Sequence, residues 1–206
     1  MKKGFTLVEM LVVIGIIAII AAALSAGYSS VTKTAQKTRG AELVSNVATS
    51  LSAIYQEKGR WPKPLLDGNG KDEYRLGSEQ GAMLAKHGGF SLSYKKDSSS
   101  GKYRLTGHDK FGVLDPWAAA VMKSKASATL TTKVPSGGTI GDHIVRYAVD
   151  TDGLGYVDAK VCGKQVRVRA AAIVWSCGPD GVFQPFEQMG RSDDIFSFTM
   201  GQVVKQ

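Results

Sequence analysis

A long apolar run near the N-terminus, followed by an amphipathic stretch, dominates the hydrophobic pattern of the chain. The run begins at Phe5 and carries no charge between Met10 and Gly27. About 20 apolar residues suffice for a helix to cross a bilayer, so the pattern predicts a membrane-spanning helix over 5–27. Glu9 is the one charge inside the run. A carboxylate there costs at least ~2.5 kcal/mol unless a partner neutralises it, so it calls for a functional explanation.

Downstream of Gly27, apolar side chains recur at helical spacing. They fall at steps of one, three and four, which predicts that the helix continues over 28–58 with one buried face. Gly59 and Pro62 should end it, because glycine suits a helix C-terminus and proline forces the residue before it out of helical geometry. The stripe consists of Leu43, Val44, Val47, Leu51, Ile54 and Tyr55.

Beyond residue 59 the pattern changes to short segments separated by turn residues. Helices are predicted from Ser78 to His87 and over 118–126. Asp152-Gly153 is a turn signal that should join two strands as a hairpin. Together these elements predict an α+β fold, with the long N-terminal helix packed on a small antiparallel sheet in a globular domain over 59–206. Strands are predicted over 90–94, 103–105, 143–149, 156–161 and 165–175.

The charge of the chain says little about its partners. Its 206 residues include 26 Lys and Arg against 18 Asp and Glu, for a net charge of +8. Such a surplus can attract nucleic acid or anionic lipid. The basic residues are scattered, however, and form no stripe with aromatic residues, so solubility is the simpler explanation and nucleic acid is not an expected partner.

The residue types that catalysis needs are not grouped along the chain. The three histidines, His87, His108 and His143, lie in unrelated segments without the spacing of metal ligands. No glycine-rich phosphate loop follows a predicted strand. We therefore expect that the protein is not an enzyme.

Three interpretations fit the N-terminal run. It could be a plain membrane anchor, or a cleaved secretory signal with Lys2 and Lys3 as its basic start and Ala23 and Ser25 near its cleavage site. Neither of these uses an acid near the start of the apolar core. The hexapeptide Gly4-Phe5-Thr6-Leu7-Val8-Glu9, behind a basic leader and before a long apolar helix, resembles the class III signal of type IV prepilins and type II secretion pseudopilins.

This resemblance implies a processing site and a topology. A prepilin peptidase would cut after Gly4, release the leader 1–4 into the cytoplasm and methylate the new N-terminus at Phe5. Glu9 would then be the fifth residue of the mature chain. The helix would remain as a single span in the bacterial inner membrane, with the globular domain on the periplasmic side.

Two further motifs resemble those of the major pseudopilins. Tyr55 is followed by Gly59, Trp61 and Pro62 at the predicted end of the long helix, and Asp115-Pro116-Trp117 comes later. In this family a glycine usually follows that second motif. Here three alanines follow instead, and then a stretch to about residue 142 that compact members lack. The sequence assigns no role to residues 118–142.

The segment Ser176-Cys177-Gly178-Pro179-Asp180-Gly181, followed by Ser192-Asp193-Asp194-Ile195, resembles the calcium loop of major pseudopilins. The resemblance implies a Ca²⁺ site that uses Ser176, Asp180, Asp193 and Asp194, and Ca²⁺ does prefer carboxylate and carbonyl oxygens. An ordinary acidic surface loop is the alternative. A second acidic segment, Asp150–Asp158, also hints at calcium, but it lacks the third early acid and the final glutamate of an EF-hand loop and is interpreted as a hairpin turn.

The two cysteines, Cys162 and Cys177, leave two outcomes open. An oxidising compartment favours a disulfide, which would contribute roughly 3 kcal/mol to stability. If residues 165–175 form one straight strand, however, its ends lie ~33 Å apart. Bonded cysteines need Cα atoms within about 7 Å. Either the strand bends or the thiols stay free.

The resemblances imply a structural subunit of a type II secretion pseudopilus, which assembles as a helical homopolymer and pushes folded proteins outward. The implied partners are the prepilin peptidase, other pseudopilins and the inner-membrane assembly platform. The alternative is a type IV pilin or minor pilin that serves adhesion, twitching motility or DNA uptake. A secreted binding domain behind a conventional signal peptide is disfavoured by Glu9.

Overall fold

A computed structural model describes residues 6–70, 74–125 and 127–204, with the side chains of 23–27 and 29 left aside. The predicted leader 1–4 and Phe5 lie outside the described residues. The chain divides into two compact units, residues 1–38 and residues 39–206. Helix α1, Leu7–Lys58, runs through 52 residues and contributes to both. The predicted continuous N-terminal helix is therefore present.

In the first unit, α1 exposes apolar side chains around its whole circumference. Leu7 is 81% exposed and Ile19 is 72% exposed. An α-helix that is apolar on all sides is typical of a segment that is buried in other apolar material. Within the described residues, no helix combines the length and apolar character that crossing a membrane requires. The span over 5–27 therefore stays a prediction.

In the second unit, one face of α1 enters the core. Val44, Val47 and Ile54 are at most 1% exposed, which confirms the predicted apolar stripe. The helix ends where expected, because Gly59 adopts a φ of 64°. Trp61 then packs back, with its ring stacked on Tyr55 at 4.8 Å between centroids. Its indole N–H donates to the Asp150 carbonyl at 2.6 Å.

Three short helices follow α1: α2, Lys63–Gly68; α3, Ser78–His87; and α4, Pro116–Ser124. Helix α3 has the predicted bounds, although Gly77 rather than Ser78 occupies the N-cap position. The Ser78 hydroxyl instead accepts the Leu105 N–H at 2.9 Å. Helix α4 begins two residues earlier than predicted, because Pro116 suits the first helical turn and the Asp115 carboxylate accepts the Ala118 N–H at 3.2 Å.

Eight strands form three small antiparallel sheets in the described part of the chain, rather than the single sheet that was predicted. Strands β1 and β2 form a hairpin, in which β1 starts at Tyr94 rather than at the predicted residue 90. Strands β3, β6 and β7 form the second sheet in the order β3-β6-β7, and β4, β5 and β8 form the third in the order β4-β5-β8. The strands are β1, Tyr94–Lys96; β2, Tyr103–Leu105; β3, Arg146–Val149; β4, Val157–Val161; β5, Lys164–Val168; β6, Ala172–Ser176; β7, Ile195–Phe196; and β8, Val203–Val204.

The predicted strand over 165–175 is in fact two strands in different sheets. Residues 169–171 break it, so that β5 pairs with β4 while β6 pairs with β3. The turn between β4 and β5 is Cys162-Gly163, and both residues have positive φ, 49° and 84°. A two-residue hairpin turn of type I′ requires this geometry. Strands β3 and β4 belong to different sheets, so the hairpin that was predicted at Asp152-Gly153 is wrong.

Strand β6 separates two apolar clusters, and its side chains alternate between them. Val174 joins the cluster that contains the buried face of α1 and the helix α4. Ile173 and Trp175 join the cluster formed with β4, β5 and Phe186. The sheet β3-β6-β7 is therefore covered on both faces, which explains why every residue of β6 is buried.

Leu51 offers a direct test of the packing of α1. Its side chain is fully buried, so Leu51→Ala should lower the free energy of unfolding by ~2–5 kcal/mol. Leu154 is 72% exposed, and Leu154→Ala should change it by less than about 0.5 kcal/mol. Urea unfolding of the full chain in mild detergent, followed by tryptophan fluorescence, gives both values. Equal midpoints for the two variants would contradict the packing described here.

Candidate functional site

The first turn of α1 is closed by a capping box between Thr6 and Glu9. The Glu9 carboxylate accepts the Thr6 backbone N–H at 2.7 Å and the Thr6 hydroxyl at 2.8 Å. In return, the Thr6 hydroxyl accepts the Glu9 N–H at 3.2 Å. The pair satisfies backbone donors that the start of a helix leaves open, and the carboxylate lies at the end of the helix that favours negative charge.

Glu9 therefore has a local role that the sequence analysis overlooked. Thr6-Leu7-Val8-Glu9 has the Thr-x-x-Glu spacing of a capping box, and this spacing is readable from the sequence. Gly4 and Phe5, the predicted cleavage and methylation residues, lie outside the described residues.

The second candidate site is the loop between β6 and β7. Ser176 pairs with Ile195 and Trp175 with Phe196, so the two ends of the loop are held side by side. Gly178 has a φ of 67° and passes against the Asp193 backbone so closely that a Cβ atom would collide with it. The fold therefore brings the two predicted acidic segments, around Asp180 and Asp193, into one loop.

Asp180 is used to shape this loop. One carboxylate oxygen accepts the Val182 N–H at 2.8 Å, and the other accepts the side-chain amide of Gln184 at 3.0 Å. Gln184 was not among the predicted ligands. Its own amide oxygen is buried and has no hydrogen-bond partner among the described residues.

Asp194 carries the strongest electrostatic signal in the loop. It is only 8% exposed. One of its oxygens accepts the Gln184 N–H at 3.1 Å, while the other is buried without a partner in the described structure. Burial raises the pKa of Asp194 to about 7; the charges of Asp193 and Asp180 add to this rise, although the Gln184 N–H opposes it. The partnerless oxygens and the nearby carboxylates are oxygen donors, the ligand type that Ca²⁺ prefers, but within the described residues Asp180, Asp193 and Asp194 do not form a cluster at metal-ligand distance.

Part of the stretch over 118–142, to which the sequence assigned no role, supports this loop. Gly137 lies against the Asp180 backbone, and Gly138 lies against Gly181, at distances that leave no room for a Cβ atom. Their φ values of 149° and 61° also favour glycine. The backbone of the Pro135–Gly138 turn therefore packs directly against the backbone of the acidic loop.

Ser176, the fourth predicted calcium residue, has its side chain outside the loop. Its hydroxyl donates to Asp115 at 3.1 Å in the buried core. There Asp115 also contacts His143, with 2.8 Å between Oδ2 and Nδ1. Cys177 Sγ lies 3.8 Å from the same His143 nitrogen. We call Asp115, His143, Ser176 and Cys177 the interior cluster.

The interior cluster does not have the geometry of a nucleophilic triad. Such a triad uses both imidazole nitrogens, one for the nucleophile and one for the carboxylate. Here Asp115 and Cys177 approach the same nitrogen, Nδ1, and Nε2 contacts the Gly137 carbonyl at 2.9 Å. Burial alone would lower the pKa of His143, but the hydrogen bonds and charges of Asp115 and Cys177 outweigh it and raise the pKa to about 10.

Both cysteines are free thiols. The chain does bend between them, because β5 and β6 are separate strands, yet Cys162 lies in the β4–β5 turn and Cys177 is buried beside His143. Burial raises the pKa of Cys162 to about 12 and also raises that of Cys177. The two thiols therefore stay free, which is the second of the two outcomes that the sequence left open.

The other acidic segment, around Asp150, is a loop that its own carboxylate shapes, not the hairpin turn that was predicted. One oxygen of its buried carboxylate accepts the N–H groups of Asp152 and Gly153, at 3.1 and 2.9 Å. The second oxygen accepts the Gly155 N–H at 2.7 Å. The carboxylate is already occupied by these three donors, so it holds the loop shape.

Comparison with known proteins supports the N-terminal interpretation. Residues 1–25 match the family model of the prokaryotic N-terminal methylation motif. The chain is 33% identical over 94 residues to a type IV major pilin protein, PilE1 of Neisseria gonorrhoeae, a match that covers 41% of this chain and 52% of that protein. It is 36% identical over 61 residues to the fimbrial protein EcpC of Eikenella corrodens, a match that covers 30% of this chain and 40% of that protein. No solved structure matches the chain.

The chain thus spans about half of the length of the first relative that it matches. These relatives are structural pilin subunits rather than enzymes. A long N-terminal helix joined to small antiparallel sheets is consistent with the type IV pilin-like fold. The chain thus carries the prokaryotic N-terminal methylation motif and is similar to type IV pilins over part of its length.

Proposed function

We propose that the protein is a structural subunit of a filament that grows from the bacterial inner membrane. The observation that carries this proposal is the first half of α1, which exposes large apolar side chains on all sides from Leu7 to Ile20. Such a surface needs an apolar environment. The lipid bilayer supplies it before assembly, and the helices of neighbouring subunits supply it in the filament.

Glu9 gives the assembly its direction in this proposal. After cleavage behind Gly4, the amino group of Phe5 in one subunit pairs with the Glu9 carboxylate of its neighbour. Two opposite charges at ~4 Å attract each other strongly in an apolar medium, where isolated charges are costly. The contact joins different surfaces of the two subunits, so it propagates as a helix rather than closing into a dimer. The implied partners are other copies of this chain, the prepilin peptidase and the inner-membrane assembly machinery.

Within this class we favour a pseudopilus of a type II secretion system, which pushes folded proteins out of the periplasm. The acidic loop is the supporting observation, because the charges of Asp193 and Asp180 act on the buried Asp194 and raise its pKa further. The free Cys162 and Cys177 fit the same choice, since no disulfide between them closes the C-terminal region. A type IV pilin is the second candidate, and the names of the relatives support it.

We further propose that the acidic loop binds Ca²⁺. The partnerless oxygens of Asp194 and Gln184 would be the buried ligands, and the carboxylates of Asp180 and Asp193 would complete the donor set with backbone carbonyls. A buried carboxylate oxygen without a donor costs free energy, and a cation removes that cost. The ion supplies positive charge that holds the loop against the mutual repulsion of its three acids.

Glu9→Gln tests the charge pairing. Glutamine can still accept the hydrogen bonds of the capping box, so the helix start should survive while the charge is lost. We expect normal cleavage after Gly4 and a loss of filaments, seen by electron microscopy of cells that express the assembly machinery. Glu57→Gln, an exposed acid near the other end of α1, is the control and should assemble normally. Filaments of normal yield from the Glu9 variant would disprove the pairing.

The N-terminus of the mature chain tests the predicted cleavage and methylation. N-terminal sequencing and intact mass should show that the mature chain starts at Phe5 and carries one methyl group. Gly4→Val should block this step, because the prepilin peptidase cuts after a glycine in the class III signal that this sequence resembles. Gly15→Val should leave it intact, since a side chain at Gly15 meets no atom within 4 Å. A mature N-terminus near Ala26 would instead indicate a secreted domain.

Calcium binding should be visible as a stability difference. The full chain in mild detergent should melt at a higher temperature in Ca²⁺ than in EGTA, with a gain of about 2.7 kcal/mol at a hundredfold excess over the dissociation constant. Asp193→Ala should remove the difference, while Asp152→Ala, in the other acidic turn, should keep it. Equal melting temperatures of the unaltered chain in Ca²⁺ and in EGTA would show that the loop is an ordinary acidic surface loop.

A further inference from the structure

Three potential metal ligands of the interior cluster converge from distant parts of the chain. Asp115 precedes α4, His143 precedes β3 and Cys177 follows β6. One ligand atom from each of the three lies within 4.8 Å of the others, and all three residues are buried. Neither the N-terminal motif nor the acidic loop gives this arrangement a role.

The hydrogen bonds of His143 show that a positive charge belongs between these side chains. Its Nε2 faces the Gly137 carbonyl at 2.9 Å, and a carbonyl can only accept, so Nε2 carries a hydrogen. In a neutral imidazole the other nitrogen, Nδ1, then presents a lone pair, and it would face the Asp115 carboxylate at 2.8 Å. Two lone pairs at that distance repel each other. A cation must lie between them, and it is either a proton or a metal ion.

A tetrahedral zinc ion would occupy this position after its ligand atoms move by about 0.5 to 1.2 Å relative to one another. Bonds of ~2.0–2.2 Å to nitrogen and oxygen and ~2.3 Å to sulfur separate neighbouring ligands by roughly 3.3–3.6 Å. The observed separations are 2.8 Å from Asp115 Oδ2 to His143 Nδ1 and 3.8 Å from that nitrogen to Cys177 Sγ, and the widest in the group reaches 4.8 Å, so the carboxylate and the sulfur must approach each other when an ion binds. The Ser176 hydroxyl, which donates to Asp115 Oδ2 at 3.1 Å, is a neutral oxygen beside this carboxylate that an ion would recruit as a fourth ligand.

The hydrogen bonds around His143 and Asp115 are of the kind that a metal centre uses, whereas the Cys177 thiol donates to the Asp142 carbonyl at 3.3 Å and would give up this hydrogen bond as a thiolate. A ligating histidine commonly donates its second ring N–H to a carbonyl, as His143 does to Gly137. Ligating carboxylates are themselves hydrogen-bonded, and the second oxygen of Asp115 accepts the Ala118 N–H at 3.2 Å. These outer contacts fix the orientation of both side chains before any ion arrives.

The charge balance also permits a metal ion in this buried place. With a proton on Nδ1, the aspartate, imidazolium and thiol sum to zero. With Zn²⁺, the aspartate, neutral imidazole and thiolate again sum to zero. Exchange releases two protons, one from His143 and one from Cys177, and leaves no uncompensated charge in the core.

We propose that Asp115, His143 and Cys177, with Ser176 as a further oxygen ligand, form an interior binding site for a borderline transition-metal ion, for which Zn²⁺ is the best match. A mixed set of carboxylate, imidazole and thiolate suits zinc, whereas calcium takes oxygen ligands alone. The site is structural, since all of its side-chain donors are buried. It ties the start of α4 and the approach to β3 to the end of β6, directly beneath the acidic loop.

The test uses the full chain in mild detergent with zinc and cobalt as probes. After incubation with Zn²⁺ and dialysis, elemental analysis should find one zinc per chain in the unaltered protein and in Cys162→Ala. Cys177→Ala should bind zinc at least tenfold more weakly, with circular dichroism showing that it remains folded. Proton release of about two per zinc, measured in weak buffer, should accompany binding.

A measurement with cobalt tests the site without depending on whether Cys177→Ala folds. Co²⁺ added to Cys162→Ala, whose only thiol is Cys177, should give a thiolate-to-cobalt charge-transfer band, and excess Ca²⁺ should not abolish it. The proposal is overturned if the folded chain retains no zinc and shows no such band. It is also overturned if bound zinc survives Cys177→Ala but is lost on Asp193→Ala, because the ion would then occupy the acidic loop.

Discussion

The burial of β6 on both faces is the constraint on which the globular unit depends. Because its side chains alternate between two apolar clusters, the α1 side and the β4–β5 side of the unit are joined through one strand of five residues. The same strand delivers Ser176 and Cys177 to the core and begins the acidic loop immediately afterwards. A shift of one residue in its register would exchange its two faces and would move every one of these groups.

The strongest sequence signals were local ones, and those predicted the structure well. The stripe on α1 and helix α3 each depend on spacing within a short segment, and both are present. Strand pairing depends on residues far apart, and there the sequence misled. Asp152-Gly153 has the composition of a hairpin turn, but the β4–β5 turn is formed by Cys162-Gly163, where a cysteine adopts the positive φ that usually belongs to glycine or asparagine.

The sites show the same division. The two acidic segments of the loop could be recognised from their residues, yet the sequence could not show that Gln184 lies between them with a partnerless oxygen. Nor could it assign the Ser176 hydroxyl to Asp115, since their contact spans 61 positions. The interior cluster was missed altogether, because Asp115, His143 and Cys177 have no recognisable spacing. Only the pairing of β3 with β6 brings the last two together.

The pairing of Ser176 with Ile195 has a further consequence for the acidic loop. When a flexible segment binds an ion, most of the entropic cost lies in bringing its distant ends together. Here folding has already joined the ends, and the Pro135–Gly138 turn has already fixed one wall. The loop is preorganised, so an ion that enters it orders only the interior of the segment. If the loop binds Ca²⁺ as proposed, this preorganisation would let it hold the ion with few charged ligands and release it without loosening the strands on either side.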